Sequence, residues 1–172
     1  MFSDKFEYVL AVAEEQTLTK AAIDVAQKGD VIVIDCGGCT RRAMVGGMMI
    51  AYRQKKGIRG FVVDGAARDI DDINNSTLAV YAKTVTPRGP YRNGPGEINV
   101  PVVCGGQAVM PGDIIIGDND GIVVIPRRQA QEVLAAAKEN LLSEQKELEK
   151  MRRDNDCDDG HREKFLSPFL RG

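Results

Sequence analysis

The sequence predicts a single-domain α/β fold with a β-rich layer and a long helix toward its C-terminal end. Three observations predict it. Short apolar runs at residues 31–34 and 61–63 alternate with helical stretches, the rhythm of strand–helix–strand units stacked in layers. Four more short apolar segments crowd residues 100–125 with turn residues between them, as a small barrel or β layer requires. Residues 127–153 then carry one long charged helical pattern.

Taken in order, residues 17–27 read as a short helix that Thr17 or Thr19 can cap and that Gly29 follows. The apolar run 31–34 is a buried strand ended by a loop at Asp35 and Gly37-Gly38. Residues 44–56 have helical composition, closed by Gly57. Residues 61–63 form a second buried strand, ended by Asp64-Gly65, and residues 70–75 a short helix that begins near Asp69. Residues 78–85 are strand-like, and residues 87–96 are a loop rich in Gly and Pro. The four segments 100–104, 107–110, 114–116 and 122–125 follow, with Pro111-Gly112-Asp113 and Asp118-Asn119-Asp120-Gly121 as turns. No internal repeat is present.

Along residues 127–153 an apolar stripe runs through Leu134, Ala137, Leu141, Leu148 and Met151, with a gap where Glu144 takes the stripe position. The plainer account is that the stripe drifts and Leu142 takes over; the alternative has Glu144 facing a polar site or a partner chain. Residues 154–160 are acidic but fail as a calcium loop: the glycine comes one residue late and Phe165 stands where the closing acid belongs. This divides the chain into a domain at residues 1–153 and an acidic linker with a C-terminal segment at residues 154–172.

Composition narrows the function. A length of 172 residues with 43% apolar side chains suits one domain with its own core and excludes a disordered chain. A net charge of −2 argues against general binding to nucleic acid or membrane surfaces. No apolar run approaches a membrane span, and residues 1–15 lack the basic start and apolar core of a secretory signal, so the expected location is the cytoplasm. Cys36 and Cys39 form a C-x-x-C pair, but zinc would need a second ligand pair and the single histidine is the distant His161. Small buried thiols are the simpler account of these cysteines.

Chemistry concentrates where Gly, acids and Arg cluster after strands, at residues 35–47, 64–72 and 87–99. Neither the dinucleotide fingerprint nor the P-loop pattern is complete anywhere. In Arg68-Asp69-Ile70-Asp71-Asp72 a carboxylate can bind magnesium through one oxygen, and the adjacent Arg can hold a substrate carboxylate by paired hydrogen bonds. Local pattern by itself favours a plainer account, with Asp69 capping the helix and Arg68 in a surface ion pair.

The wider spacing adds a resemblance. Gly47, Arg68, Asp69 and Asp72 reproduce in register the signature Gly, twenty residues, Arg-Asp, two residues, then Asp or Glu. The flanks Gly37-Gly38, Gly46-Gly47, Pro87-Arg88-Gly89 and Gly94-Pro95-Gly96-Glu97 agree, as does the hairpin from Pro111 to Gly121. Over roughly residues 17–149 the chain thus resembles the metal-dependent aldolases of the ribonuclease-regulator-like superfamily that cleave 4-hydroxy-4-methyl-2-oxoglutarate or 4-carboxy-4-hydroxy-2-oxoadipate. Members of that family usually carry a further helix and strand ahead of the part that matches Thr17.

The resemblance implies a swivelling β/β/α-type fold, a homotrimer or homohexamer with sites between subunits, and a divalent cation, usually Mg2+ or else one such as Mn2+. By the same resemblance Asp69 is the metal ligand, Arg68 contacts substrate, and Arg68, Asp69 and Asp72 make up the catalytic set. The backbone of Gly46, Gly47, Met48 and Met49 matches the stretch that approaches the pyruvate carboxylate. An acid from a neighbouring chain's C-terminal helix also belongs to the family's site, and Glu144 is the candidate.

The implied activity is that of a lyase: pyruvate aldolase with oxaloacetate decarboxylase as companion, because both reactions leave the enolate of pyruvate. A divalent cation on the 2-oxo and carboxylate oxygens tolerates that charge, so no Schiff-base lysine is required and Lys83 reads as a solvated residue. The alternative within the superfamily is a non-catalytic regulator that binds and inhibits ribonuclease E. That branch tends to lack the last acid of the signature, so Asp72 favours the enzyme. A third reading is a fold relic with a structural role.

Overall fold

A computed structural model describes residues 9–13, 16–54, 56–90 and 96–153. The chain divides into two compact units, Met1–Ala130 and Gln131–Gly172.

The first unit is built on four parallel strands, β1 (Val9–Ala13), β2 (Val31–Val45), β3 (Gly60–Ala67) and β4 (Ala79–Val85), which lie in sequential order. Helices α1 (Gln16–Val25), α2 (Gly47–Gln54) and α3 (Ile70–Asn74) make the three crossovers, which parallel neighbours require. Two antiparallel hairpins follow, β5 (Val102–Cys104) with β6 (Gln107–Val109) and β7 (Ile114–Gly117) with β8 (Ile122–Ile125).

Strand periodicity explains the layers. Ile32, Ile34, Phe61 and Val63 point to one face and pack with Ala22, Ile23, Met49, Ile50 and Ile73 from the helices. The intervening Val31, Val33 and Val62 point to the other face and pack with Val102, Val109 and Ile115 from the hairpins. Successive side chains of a strand alternate in direction, so a sheet covered on both sides needs apolar residues at every position. Residues 31–34 and 61–63 meet that condition and are buried throughout. Helices, parallel sheet and hairpins thus form the β/β/α arrangement.

Three local expectations are corrected. Residues 9–13, which read as mixed acids and short apolar pieces, form β1, in register with β2 from Val9↔Val31 to Ala13↔Asp35. Helix α1 starts at Gln16, so Thr17 and Thr19 lie inside it rather than at a cap, and Thr19 is buried. The strand expected to stop at residue 34 continues to Val45, because its pairing with β3 resumes after irregularities: Asp35↔Asp64 is followed by Cys39↔Gly65, Ala43↔Ala66 and Val45↔Ala67. Gly37 and Gly38, at φ 56 and 73, take up the surplus residues in a left-handed conformation that glycine adopts without strain.

The second unit holds α4 (Ala130–Arg153) from its second residue onward; a 3-10 turn at Arg127–Gln129 precedes the helix. Its stripe does not form a buried seam: Leu134 and Ala137 are half-buried, while Leu141, Leu148, Met151 and the interposed Glu144 are exposed. The acidic stretch expected to be a linker lies outside the described residues.

Candidate active site

Parallel strands deliver their C-terminal ends to one edge of the sheet, where loops can place side chains from different strands side by side. Here β2 ends at Val45 and leads through Gly46 into α2, while β3 ends at Ala67 and leads through Arg68-Asp69 into α3. The Arg68 N–H donates to the Val45 carbonyl at 3.0 Å and the Thr86 N–H to the Ala67 carbonyl at 3.0 Å, so the three chain segments remain tied beyond the strands.

Asp69 has left-handed backbone angles, φ 57 and ψ 52, and makes no side-chain cap bond to α3. The helix-capping account therefore fails. The Asp69 carboxylate turns across to the neighbouring loop, where Oδ2 accepts the Gly47 N–H at 2.9 Å. The same oxygen lies 3.6 Å from Arg68 Nε. Side-chain exposures of 30% for Arg68 and 41% for Asp69 leave both accessible to a small ligand.

The two glycines are shaped to these acids. A Cβ on Gly46 would stand 2.6 Å from Asp69 Oδ2 and 2.8 Å from Arg68 Cγ, and one on Gly47 would run into the Asp72 carboxylate. Signature residues twenty and more positions apart in sequence are therefore brought into direct contact. Of the methionines, Met48 is exposed and Met49 buried. The Met49 N–H donates to the Gly46 carbonyl. A small cavity is lined by Val45, Gly46, Met48, Met49, Arg68 and Pro90. Glu144 belongs to the second unit and is exposed on α4.

The segment after β4, one of the three stretches singled out in the sequence, joins this site through contacts that the sequence did not reveal. The Ala43 N–H donates to the Arg88 carbonyl at 2.8 Å and Arg42 Nη1 to the Gly89 carbonyl at 2.8 Å. A Cβ on Gly89 would stand 3.2 Å from Arg68 Nη1. The Pro87-Arg88-Gly89 run was the available signal, but nothing in it points to Arg42.

A second polar cluster sits in the middle of the sheet. Buried Asp64 is 2.6 Å from Lys83 Nζ and accepts the Gly105 N–H at 3.1 Å. The Lys83 hydrogen bond holds the Asp64 carboxyl below its usual range, and Asp64 in return raises the Lys83 ammonium. Lys83 is thus an ion-pair partner, not simply solvated. Burial, reinforced by Asp64 and Asp35, pushes the Cys104 thiol up to about 11. Cys36 is buried as expected, whereas Cys39 and Cys104 are half-buried.

Among the described residues no three His, Cys, Asp or Glu side chains converge as a metal cage. The donor set at Asp69 is one accessible carboxylate. That fits a hard cation such as magnesium, which keeps much of its water and takes one or two carboxylates. Among the described residues no helix is long and apolar enough to cross a membrane.

An Arg-Asp pair at the end of the third parallel strand, seated on glycines from the second, marks one class of β/β/α protein. The chain belongs to the RraA-like family (Aldolase/RraA), which it matches over residues 8–124. It is 44% identical over 113 residues to a protein of Halalkalibacterium halodurans provisionally named 4-hydroxy-4-methyl-2-oxoglutarate aldolase, with 66% of this chain and 54% of that one covered. It is 40% identical over 114 residues to a protein of Azotobacter vinelandii with the same provisional name, covering 66% of this chain and 70% of the relative. The chain thus spans about half the length of the first of these relatives. Among solved structures it resembles the RNA-processing inhibitor RraA from Thermus thermophilis, with a TM-score of 0.66 and 30% identity over 70% of this chain and 76% of that one.

Proposed function

We propose that this chain is a carbon–carbon lyase: a divalent-metal-dependent pyruvate aldolase that cleaves 4-hydroxy-4-methyl-2-oxoglutarate-type 2-oxo acids and also decarboxylates oxaloacetate. One observation carries the reading: the Asp69 carboxylate leaves its own helix and lies beside Arg68 over Gly46 and Gly47. The provisional aldolase names of two relatives support it.

Each side chain has a role that follows from its chemistry. Arg68 presents a planar guanidinium that can take a substrate carboxylate by paired hydrogen bonds. Asp69, fixed through Oδ2 by the Gly47 N–H, would hold Mg2+ or Mn2+. The bound cation would offset the negative charge left on the three-carbon fragment when the bond breaks. Asp72 completes the set: its carboxylate occupies the space beside Gly47 that a side chain there would fill, next to the peptide whose N–H bonds to Asp69. Gly46 keeps the approach to Arg68 free of a side chain, with Met48 and Met49 lining the same cavity, and Gly47 leaves room for Asp72. The chain works as a homotrimer or homohexamer in which Glu144 of α4 serves an adjoining subunit's site.

The test is pyruvate release from 4-hydroxy-4-methyl-2-oxoglutarate and from oxaloacetate, with magnesium and with chelator. Turnover should require the metal. Asp69→Ala should abolish it in a folded protein, and Arg68→Ala should reduce it by about a hundredfold or more, the scale expected when substrate positioning is lost. Full turnover with chelator, or in Asp69→Ala, would overturn the metal-ligand assignment. If no pyruvate forms but ribonuclease E cleavage slows, the function is that of the regulator, consistent with the likeness to the Thermus inhibitor.

A further inference from the structure

We infer that Arg42 is a positioning residue for the substrate-contacting arginine: it anchors the Gly89 carbonyl, so that the Gly89 backbone forms a fixed rest for the Arg68 guanidinium. The inference rests on the reading of Arg68 given above and extends it to a side chain outside the family signature.

The geometry runs in a chain of contacts. Consecutive residues of β2 hold consecutive carbonyls of the segment after β4: Ala43 through its N–H takes that of Arg88, and Arg42 through Nη1 takes that of Gly89, each at 2.8 Å. Neutral backbone bonds of the first kind only dock the segment. The second is a charge-assisted bond from a half-buried side chain, of the stronger class. Gly89 then meets Arg68 from the far side, with the position of a Cβ only 3.2 Å from Nη1. On the near side Nε is 3.6 Å from Asp69 Oδ2.

The guanidinium is therefore bounded by a carboxylate near Nε and, near Nη1, by the side of Gly89 on which a Cβ would stand. A long side chain loses much rotamer entropy when it is held for a substrate. A rest fixed in advance lowers that cost at the moment of binding. Glycine at position 89 is part of the device, because a methyl group there would press on the guanidinium and shift it by a few tenths of an ångström while the backbone itself stayed unstrained.

The test measures Arg68 directly and through turnover. In protein labelled with 15N, relaxation of the Arg68 Nε–Hε signal reports its order on the ps–ns timescale. Arg42→Ala should lower that order and raise KM for oxaloacetate about tenfold with a smaller change in kcat, and Arg42→Lys should recover part of both. Gly89→Ala should shift the Arg68 signal with Arg42 intact. In an Arg68→Lys background, Arg42→Ala should change KM less than about twofold, because residues that act through one another are non-additive.

Unchanged Arg68 order in Arg42→Ala, or an equal KM effect in both backgrounds, would overturn the inference even if the enzyme proves active. A wild-type protein that releases no pyruvate, yet loses Arg68 order in Arg42→Ala, would overturn the aldolase reading and leave the positioning role standing. If Arg42→Ala does not fold, Arg42→Lys and Gly89→Ala decide the matter by the same signal.

Discussion

Asp69 combines an uncommon backbone with an uncommon side-chain direction. A left-handed conformation costs an ordinary L-residue about 1–2 kcal/mol, and aspartate tolerates it better than most. The strain turns the carboxylate toward Gly47 instead of toward the first turn of α3. Substitution therefore separates stability from activity at this residue. Asp69→Gly should be more stable than Asp69→Ala by about 1 kcal/mol in urea unfolding, since glycine removes the backbone cost. Both should lack metal-dependent turnover. Equal stability of the two would mean that residue 69 is not held left-handed in solution.

At the scale of elements, the continued β2 strand decides what β3 and β4 can present. Three strands and the β5–β6 hairpin meet at Asp64, whose carboxylate bonds to Lys83 of β4 and to Gly105 in the hairpin turn. Its carboxyl is lowered chiefly by the Lys83 hydrogen bond. A depressed folded value contributes stability that is present above the unfolded carboxyl value of about 3.9. That stability is lost as pH falls through the lower folded value. Lys83→Met removes the main cause, so the variant should unfold at a higher pH during acid titration and have a lower Tm at neutral pH. The contribution of Lys83 has the opposite sense: its raised ammonium adds stability that is lost as pH rises through its elevated value. An acid-unfolding midpoint identical in wild type and Lys83→Met would show that the pair does not persist in solution.

For the whole molecule, the question is what the exposed half of α4 meets. Leu141, Leu142, Leu148 and Met151 are all exposed there, with Glu144 among them. If that helix serves a neighbouring subunit's site, Glu144→Gln should slow pyruvate release while leaving the oligomer intact by light scattering. Mixed oligomers reassembled from Glu144→Gln and Asp69→Ala chains should then regain turnover that Asp69→Ala lacks and exceed that of Glu144→Gln per intact site, because some sites combine an intact acid from one chain with an intact Asp69 from another. No gain on mixing, with subunit exchange verified by mass, would remove Glu144 from the chemistry.

The sequence by itself determined which runs are buried strands, that residues 111–113 and 118–121 are turns, and which residues carry the signature, while the β5–β6 turn at Gly105-Gly106 went unread. These are local properties: a run such as Val31-Ile32-Val33-Ile34 has one stable use in a covered parallel sheet, and Pro111-Gly112-Asp113 one use as a turn. It also supplied the Gly47, Arg68, Asp69 and Asp72 spacing, but local pattern read Asp69 as a cap. Tertiary structure alone decided that this carboxylate crosses to Gly47, that β2 runs on past Gly37-Gly38, that residues 9–13 add an edge strand, and that Arg42 reaches Gly89. The reason is common to all four. Pairing between segments far apart in the chain sets them, and no window of neighbouring residues contains the partner that fixes the outcome.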